Sequence, residues 1–89
     1  MEQGIVTLDD KDNVGVAVRE LHAGGRYAVA GRVQEVMARE DIVFGHKIAL
    51  RDLADSEPIR KYGEVIALAR GAISAGSHVH THNMRNTVG

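Results

Sequence analysis

The sequence predicts a mostly β fold of short strands joined by tight corners, with little helix. Three observations carry that expectation. The 89 residues include 11 valines and 6 isoleucines against 5 leucines, a β-branched excess whose side chains are stiff at χ1 and favour pleated surfaces. Strict alternation recurs, as in Val14-Gly15-Val16-Ala17-Val18, whereas no segment keeps a helical period over three turns. Three stretches, Arg19–Tyr27, Arg51–Ile59 and Gly71–Val79, also align without gaps. Each has an apolar anchor (Leu21, Leu53, Ile73), a small residue three positions on (Gly24, Ser56, Gly76) and an apolar residue six on (Tyr27, Ile59, Val79). Such a unit reads as a short helical turn whose anchor enters the core, a tight turn at the small residue, then a strand. A chance likeness among Gly-rich turns is the plainer alternative.

Along the chain, Ile5-Val6-Thr7-Leu8 opens the domain as a strand, and Asp10-Lys11-Asp12-Asn13 follows as a turn cluster. Asp12-Asn13 reads first as turn chemistry and second as a polar contact. The valine strand comes next; the small residues on its second face predict another backbone packed closely against it. Tyr27-Ala28-Val29-Ala30-Gly31-Arg32-Val33 repeats the pattern, and the segment from Gly31 to Gly45 shows no usable one. Gly63-Glu64-Val65-Ile66-Ala67-Leu68-Ala69 is a further strand, and His78-Val79-His80-Thr81-His82 closes the domain. The predicted core contains Val14, Val16, Val18, Val29, Leu50, Leu53, Ile66, Ile73 and Val79.

Eighty-nine residues with 44% hydrophobic and 26% charged residues fit one domain spanning 1–89, too short to enclose two separate cores. A net charge of -1 leaves no surplus for a phosphate backbone, and three aromatic rings (Phe44, Tyr27, Tyr62) give no stacking platform, so nucleic acid is not an expected partner. The absence of cysteine removes disulfides, thiolate metal sites and Cys nucleophiles. No secretory signal and no run of about 20 apolar residues is visible, so the expected location is the cytoplasm, without membrane contact.

The strongest chemical constellation is His78-Val79-His80-Thr81-His82-Asn83. On a strand the three imidazoles share one face with neighbours about 7 Å apart, so at most two of them can reach one metal ion. Imidazoles can instead donate hydrogen bonds to a carboxylate, or the segment can be an exposed edge touching only water. In Gly45-His46-Lys47-Ile48-Ala49-Leu50, Gly45 permits an unusual backbone angle that presents His46 and Lys47 from a loop. A fixed ammonium near imidazoles suits a sugar-acid carboxylate or an enolate-like anion, and an ordinary solvated lysine is the simpler reading. In Lys61-Tyr62-Gly63, Lys61 is a possible anion ligand and Tyr62 a partly buried ring with a polar tip. Convergence of His46, Lys47, His78, His80 and His82 on one face would favour an active site; scatter would favour an adaptor. No G-x-S-x-G, Gly-rich phosphate loop or carboxylate cluster is present.

Taken together, Asp12-Asn13-Val14, Gly45-His46-Lys47-Ile48-Ala49-Leu50-Arg51-Asp52, Lys61-Tyr62-Gly63 and His78-Val79-His80-Thr81-His82-Asn83 resemble the small N-terminal domain of the altronate dehydratase family, over residues 4–86. That family includes galactarate dehydratase and the small subunit of sulfolactate sulfo-lyase. The resemblance implies a SAF domain with a β-clip fold, working beside a larger catalytic subunit or domain with a divalent metal, usually taken to be iron. It implies a hydro-lyase acting on sugar acids, inactive without the larger part. The alternatives are a sulfolactate sulfo-lyase small subunit or a non-catalytic sugar-acid-binding or structural adaptor. In that setting His46 and Lys47 are expected to be catalytic, Lys47, Lys61, His82 and Asn83 to bind substrate, and His78 and His80 to hold the metal. Departures lie at corners: Ser56-Glu57 replaces a common Gly-Glu pair, and Ala72-Ile73-Ser74 replaces Asp-Ile-Lys-type residues. A homo-oligomer or a complex with the large subunit is expected, because a few short strands leave sheet edges uncovered.

Overall fold

The computed structural model describes residues 2–86. Nine short strands run β1 (Glu2–Val6), β2 (Val14–Ala17), β3 (Arg26–Ala30), β4 (Glu35–Met37), β5 (Lys47–Ala49), β6 (Pro58–Lys61), β7 (Glu64–Ala69), β8 (His78–Val79) and β9 (Met84–Arg85). Helical backbone among the described residues is limited to a 3-10 turn, Thr81–Asn83. One six-stranded sheet has the order β4-β3-β1-β2-β5-β8, and a three-stranded sheet has the order β6-β7-β9. The mostly β, β-clip-like expectation is met. No helix among the described residues is long and apolar enough to cross a membrane.

The corners dictate this architecture, and there are four rather than three. Ile42, Gly45 and Ile48 form the extra one, in the stretch where the sequence showed no pattern. None contains a helical turn: the anchors pair in isolated antiparallel bridges, Leu21 with Ile42 and Leu53 with Ile73. Three residues after each anchor the backbone turns through a left-handed φ, at Gly24 (84°), Gly45 (86°), Ser56 (68°) and Gly76 (86°). There the N–H donates across to an alanine carbonyl of the paired corner: Gly24 to Ala38, Gly45 to Ala17, Ser56 to Ala69 and Gly76 to Ala49, each at 2.8 Å. Those alanines donate back to Gly25, His46, Glu57 and Ser77, each at 2.9 Å. Backbone groups that a helix would satisfy internally are thus satisfied between corners.

The four corners make two halves of one motif. A shift of 32 residues carries Ala17, Leu21, Gly24 and Tyr27 onto Ala49, Leu53, Ser56 and Ile59; a shift of 31 carries Ala38, Ile42, Gly45 and Ile48 onto Ala69, Ile73, Gly76 and Val79. Each half closes its own apolar cluster. The first contains Ala17, Leu21, Tyr27, Ala38, Ile42 and Ile48. The second contains their counterparts Ala49, Leu53, Ile59, Ala69, Ile73 and Val79.

Six of the nine expected core residues (Val14, Val29, Leu50, Leu53, Ile73, Val79) are buried, and three are not. In β2 the small-residue face is the tightly packed one: a Cβ on Gly15 would stand 2.4 Å from Ile5 Cγ2. The valine face is buried at Val14, half-buried at Val16 opposite Lys47, and 42% exposed at Val18, beyond the end of the strand. Ile66 is 38% exposed because the β6–β7 ladder shifts register between Ile59 and Arg60. The extra residue of such a bulge leaves the inward phase, which Ala67 and Ala69 take up.

Asp12 and Asn13 do more than turn the chain; they are only 4% and 3% exposed. The Asn13 side chain donates to the Pro58 carbonyl and accepts from the Arg60 N–H, both at 2.8 Å, clamping β6 to the start of β2. Asp12 accepts from the N–H groups of Gly63 (2.8 Å) and Leu8 (3.3 Å). Gly63 follows Tyr62 in a two-residue β6–β7 turn where both have positive φ, the geometry of a tight hairpin turn. Burial alone would raise the Asp12 carboxyl, but backbone hydrogen bonds from Gly63, Tyr62, Leu8 and Asp9 outweigh it and hold it below the ordinary 3.8. A depressed folded-state value stabilises the fold above the unfolded value and loses that contribution as pH falls through the folded one. Asp12→Asn is therefore expected to cost about 1.5–3 kcal/mol at pH 7, the range for hydrogen bonds to a charged acceptor. Urea unfolding of both proteins should show the difference shrinking once pH drops below 3.8; a pH-independent difference would refute the assignment.

Candidate functional site

The two halves meet where β5 pairs with β8, Ile48 opposite His78 and Lys47 opposite Val79. His46 stands at the corner leading into β5. Its N–H donates to the Val43 carbonyl (3.1 Å) and its carbonyl accepts from Ala17 (2.9 Å), so its backbone is fixed from both sides. The seam brings a histidine of the first half against those of the second. His46 Nδ1 and His78 Nε2 are 2.9 Å apart, a hydrogen bond that requires complementary tautomers. Ring centroids lie 5.0 Å apart for His46 and His78, 5.1 Å for His46 and His80, 5.3 Å for His78 and His80, and 5.8 Å for His78 and His82.

The expected straight histidine strand is not what gathers these rings. Only His78–Val79 is strand; the chain then enters the 3-10 turn that carries His82. Asn83 shapes the turn. Its side-chain nitrogen donates to the His78 carbonyl and its oxygen accepts from the His80 N–H, each at 2.9 Å. Both ends of this amide thus hold the backbone that presents the rings.

Burial pushes the His78 imidazole below its ordinary pKa, and the neighbouring His46, His80 and His82 push the same way, while Glu40 opposes them. A neutral ring keeps a lone pair available as ligand or base at neutral pH. The His78 backbone N–H donates to Glu40 Oε2 at 3.1 Å. Glu40 lies in the unpatterned stretch before the fourth corner, and no signal in the sequence pointed to it.

Lys47 is not among the imidazoles. Residues opposite one another in an antiparallel pair share a face and successive residues alternate, so Lys47, opposite Val79, lies on the other face from His78. Burial lowers its pKa first and the charge of Lys61 second. The ammonium of Lys61 is also 4.9 Å from the Tyr62 ring centroid. Four histidines therefore converge, and the two lysines form a separate cationic pair. A polar cleft of about 190 Å³ lined by Lys11, Asp12, Arg32, Gln34 and Arg51, among others, contains none of these groups.

The donors suit a borderline divalent ion, since imidazole nitrogens serve zinc, iron, copper and nickel. Among the described residues, however, no three His, Asp or Glu side chains are grouped to hold a metal ion. A metal held by these imidazoles would need further ligands from outside the described residues.

Over 77 residues the chain is 43% identical to altronate dehydratase of Escherichia coli (strain K12), covering 86% of this chain and 15% of that protein. It is 36% identical over 86 residues to altronate dehydratase of Bacillus subtilis (strain 168), covering 97% and 17%. The chain thus spans less than a fifth of these dehydratases. It is also 34% identical over 90 residues to (2R)-sulfolactate sulfo-lyase subunit alpha of Chromohalobacter salexigens, covering 96% of each. Residues 3–87 match the family described as the altronate/galactarate dehydratase SAF domain, and the chain belongs to that family.

Proposed function

We propose that this domain is the small part of a sugar-acid dehydratase of the altronate type and contributes imidazoles to a site completed by a larger catalytic part. The observation that carries the reading is the four-histidine cluster at the seam, together with relatives that are lyases. Removing water from a 2,3-dihydroxy acid takes a proton from the carbon next to the carboxylate and expels a hydroxyl group. The site needs a base for that proton, an acid for the leaving oxygen and cations for the dianionic intermediate. His46, hydrogen-bonded to His78, can hold or pass a proton at Nδ1. His78 and His80 would hold a divalent ion shared with the larger part, iron in the family reading; such an ion supplies Lewis-acid stabilisation of substrate oxygen. His82 and Asn83 border the cluster, Asn83 acting through the backbone it fixes.

Lys47 and Lys61, on the other face of β5, form a separate cationic pair for a second anionic group, out of reach of the carboxylate beside which the imidazoles act. The 89-residue chain alone is expected to show no turnover, and its mixture with the larger lyase polypeptide should dehydrate altronate or galactarate. Full turnover by the isolated chain would overturn the proposal. In the active mixture Lys47→Ala should raise KM about tenfold at unchanged kcat, the signature of lost ground-state binding. Unchanged kinetics would remove the lysines from the site.

A second reading follows from another relative: the chain matches 96% of a (2R)-sulfolactate sulfo-lyase subunit alpha, and in that reading the domain serves a lyase that expels sulfite. Release of sulfite rather than water from the matching substrate would decide for it.

A further inference from the structure

The internal repeat provides a control for every corner, and one corner departs from the other three. The two residues after the anchor are His22-Ala23, Ala54-Asp55 and Ser74-Ala75 at three corners, but Val43-Phe44 at the fourth. At this tip Phe44, the one phenylalanine of the chain, is 71% exposed and Val43 is 51% exposed. The tip is rigidly held, because Gly45 donates to Ala17 and His46 to Val43. Val18, 42% exposed, is next in sequence to Ala17, whose backbone is bonded to both Gly45 and His46. The fold needs no large apolar side chain here, since the same turn forms three more times with nothing more apolar than alanine.

We infer that Val18, Val43 and Phe44 form the docking knob through which this domain seats on the larger lyase part. The inference rests on the proposed function and names its contact surface. Two observations select that occupant over a second copy of the chain. The patch adjoins His46, so whatever covers it also covers the incomplete imidazole cluster; and in the altronate dehydratases the matched region is only 15–17% of the protein, leaving a large remainder to cover it. A projecting aromatic side chain in a dry pocket is the usual anchor of such a contact.

The chain lacks cysteine, so single-cysteine variants report exposure cleanly. Phe44→Cys and, as control, Val33→Cys on the β3–β4 connection would be labelled with a maleimide, alone and mixed with the larger lyase polypeptide. Labelling is followed by mass spectrometry of this chain. Phe44→Cys is expected to react freely alone and at least about tenfold more slowly in the complex, as at a water-excluding contact, with Val33→Cys unchanged. A second pair, Phe44→Leu and Phe44→Ser, should retain and lose complex formation respectively in sedimentation. Equal labelling of Phe44→Cys with and without a complex that demonstrably forms overturns the surface and spares the function. Failure of wild-type chain to form any complex overturns the function itself. Protection that rises with the concentration of the chain alone assigns the patch to a second copy and overturns the occupant.

Discussion

Gly76→Ala is expected to cost on the order of 4 kcal/mol or more, the largest stability loss of any single methyl group added to this chain. Two penalties coincide. Gly76 has φ 86°, and a Cβ there would lie 2.0 Å from the Met37 carbonyl oxygen and 3.2 Å from its carbon. These are backbone atoms that cannot swing aside, and the Arg39 N–H bonded to the Gly76 carbonyl at 2.9 Å holds the same strand end in place. Gly24 is the control: φ is 84°, yet nothing lies within 4 Å of its absent Cβ. Gly24→Ala should therefore show the conformational cost alone, about 1 kcal/mol. With about 4–8 °C per kcal/mol for a domain of this size, melting should drop by about 5 °C for Gly24→Ala and about 20 °C or more for Gly76→Ala. Thermal melts followed by circular dichroism separate the two. Equal losses would mean that the Met37 segment yields and that the corner contact contributes little.

Replacing His78 or His80 by Ala in the assembled lyase is expected to lower kcat/KM by about 100-fold, while His22→Ala leaves it near wild type. His78 stands at the centre of the cluster, within ring distance of three other imidazoles. His22 has the same side chain at another corner, where it is exposed and outside the cluster. The isolated variants should melt close to wild type, which separates chemistry from folding. Equal, near-normal rates in all three would reduce the histidines to an exposed edge, leaving the domain structural.

The fold class was readable because its causes are local. Valine and isoleucine content, alternation, and the glycines at Gly24 and Gly76 act within a few residues of where they stand. Three corners were visible for the same reason. The fourth was missed because Val43-Phe44 at its tip breaks the small, polar pattern of its siblings, although Ile42, Gly45 and Ile48 keep the spacing. The histidine site was half legible. His78, His80 and His82 are neighbours in sequence, but their meeting with His46 depends on the β5–β8 pairing, a non-local event. Lys47 went the other way: adjacency to His46 suggested partnership, and strand alternation sent the two apart. Burial of Val18 and Ile66 was misjudged because a strand end and a bulge reset the phase on which alternation relies.

At the position four residues after each anchor stand Gly25, His46, Glu57 and Ser77, and the same two main-chain bonds form at all four; at Glu57 the carboxylate also accepts from the Ala54 N–H at 3.0 Å. Each N–H closes the turn and each carbonyl receives an alanine N–H from the partner corner. Three of these slots carry unlike side chains in one backbone role, so the corner does not dictate the residue there; Gly25 is the exception, since a Cβ would stand 2.7 Å from the Tyr27 hydroxyl oxygen and 3.0 Å from the His22 carbonyl oxygen. His46 occupies the copy of that slot beside the seam. The His46 side chain has no part in closing its corner, so its identity can change while the backbone that places it stays the same.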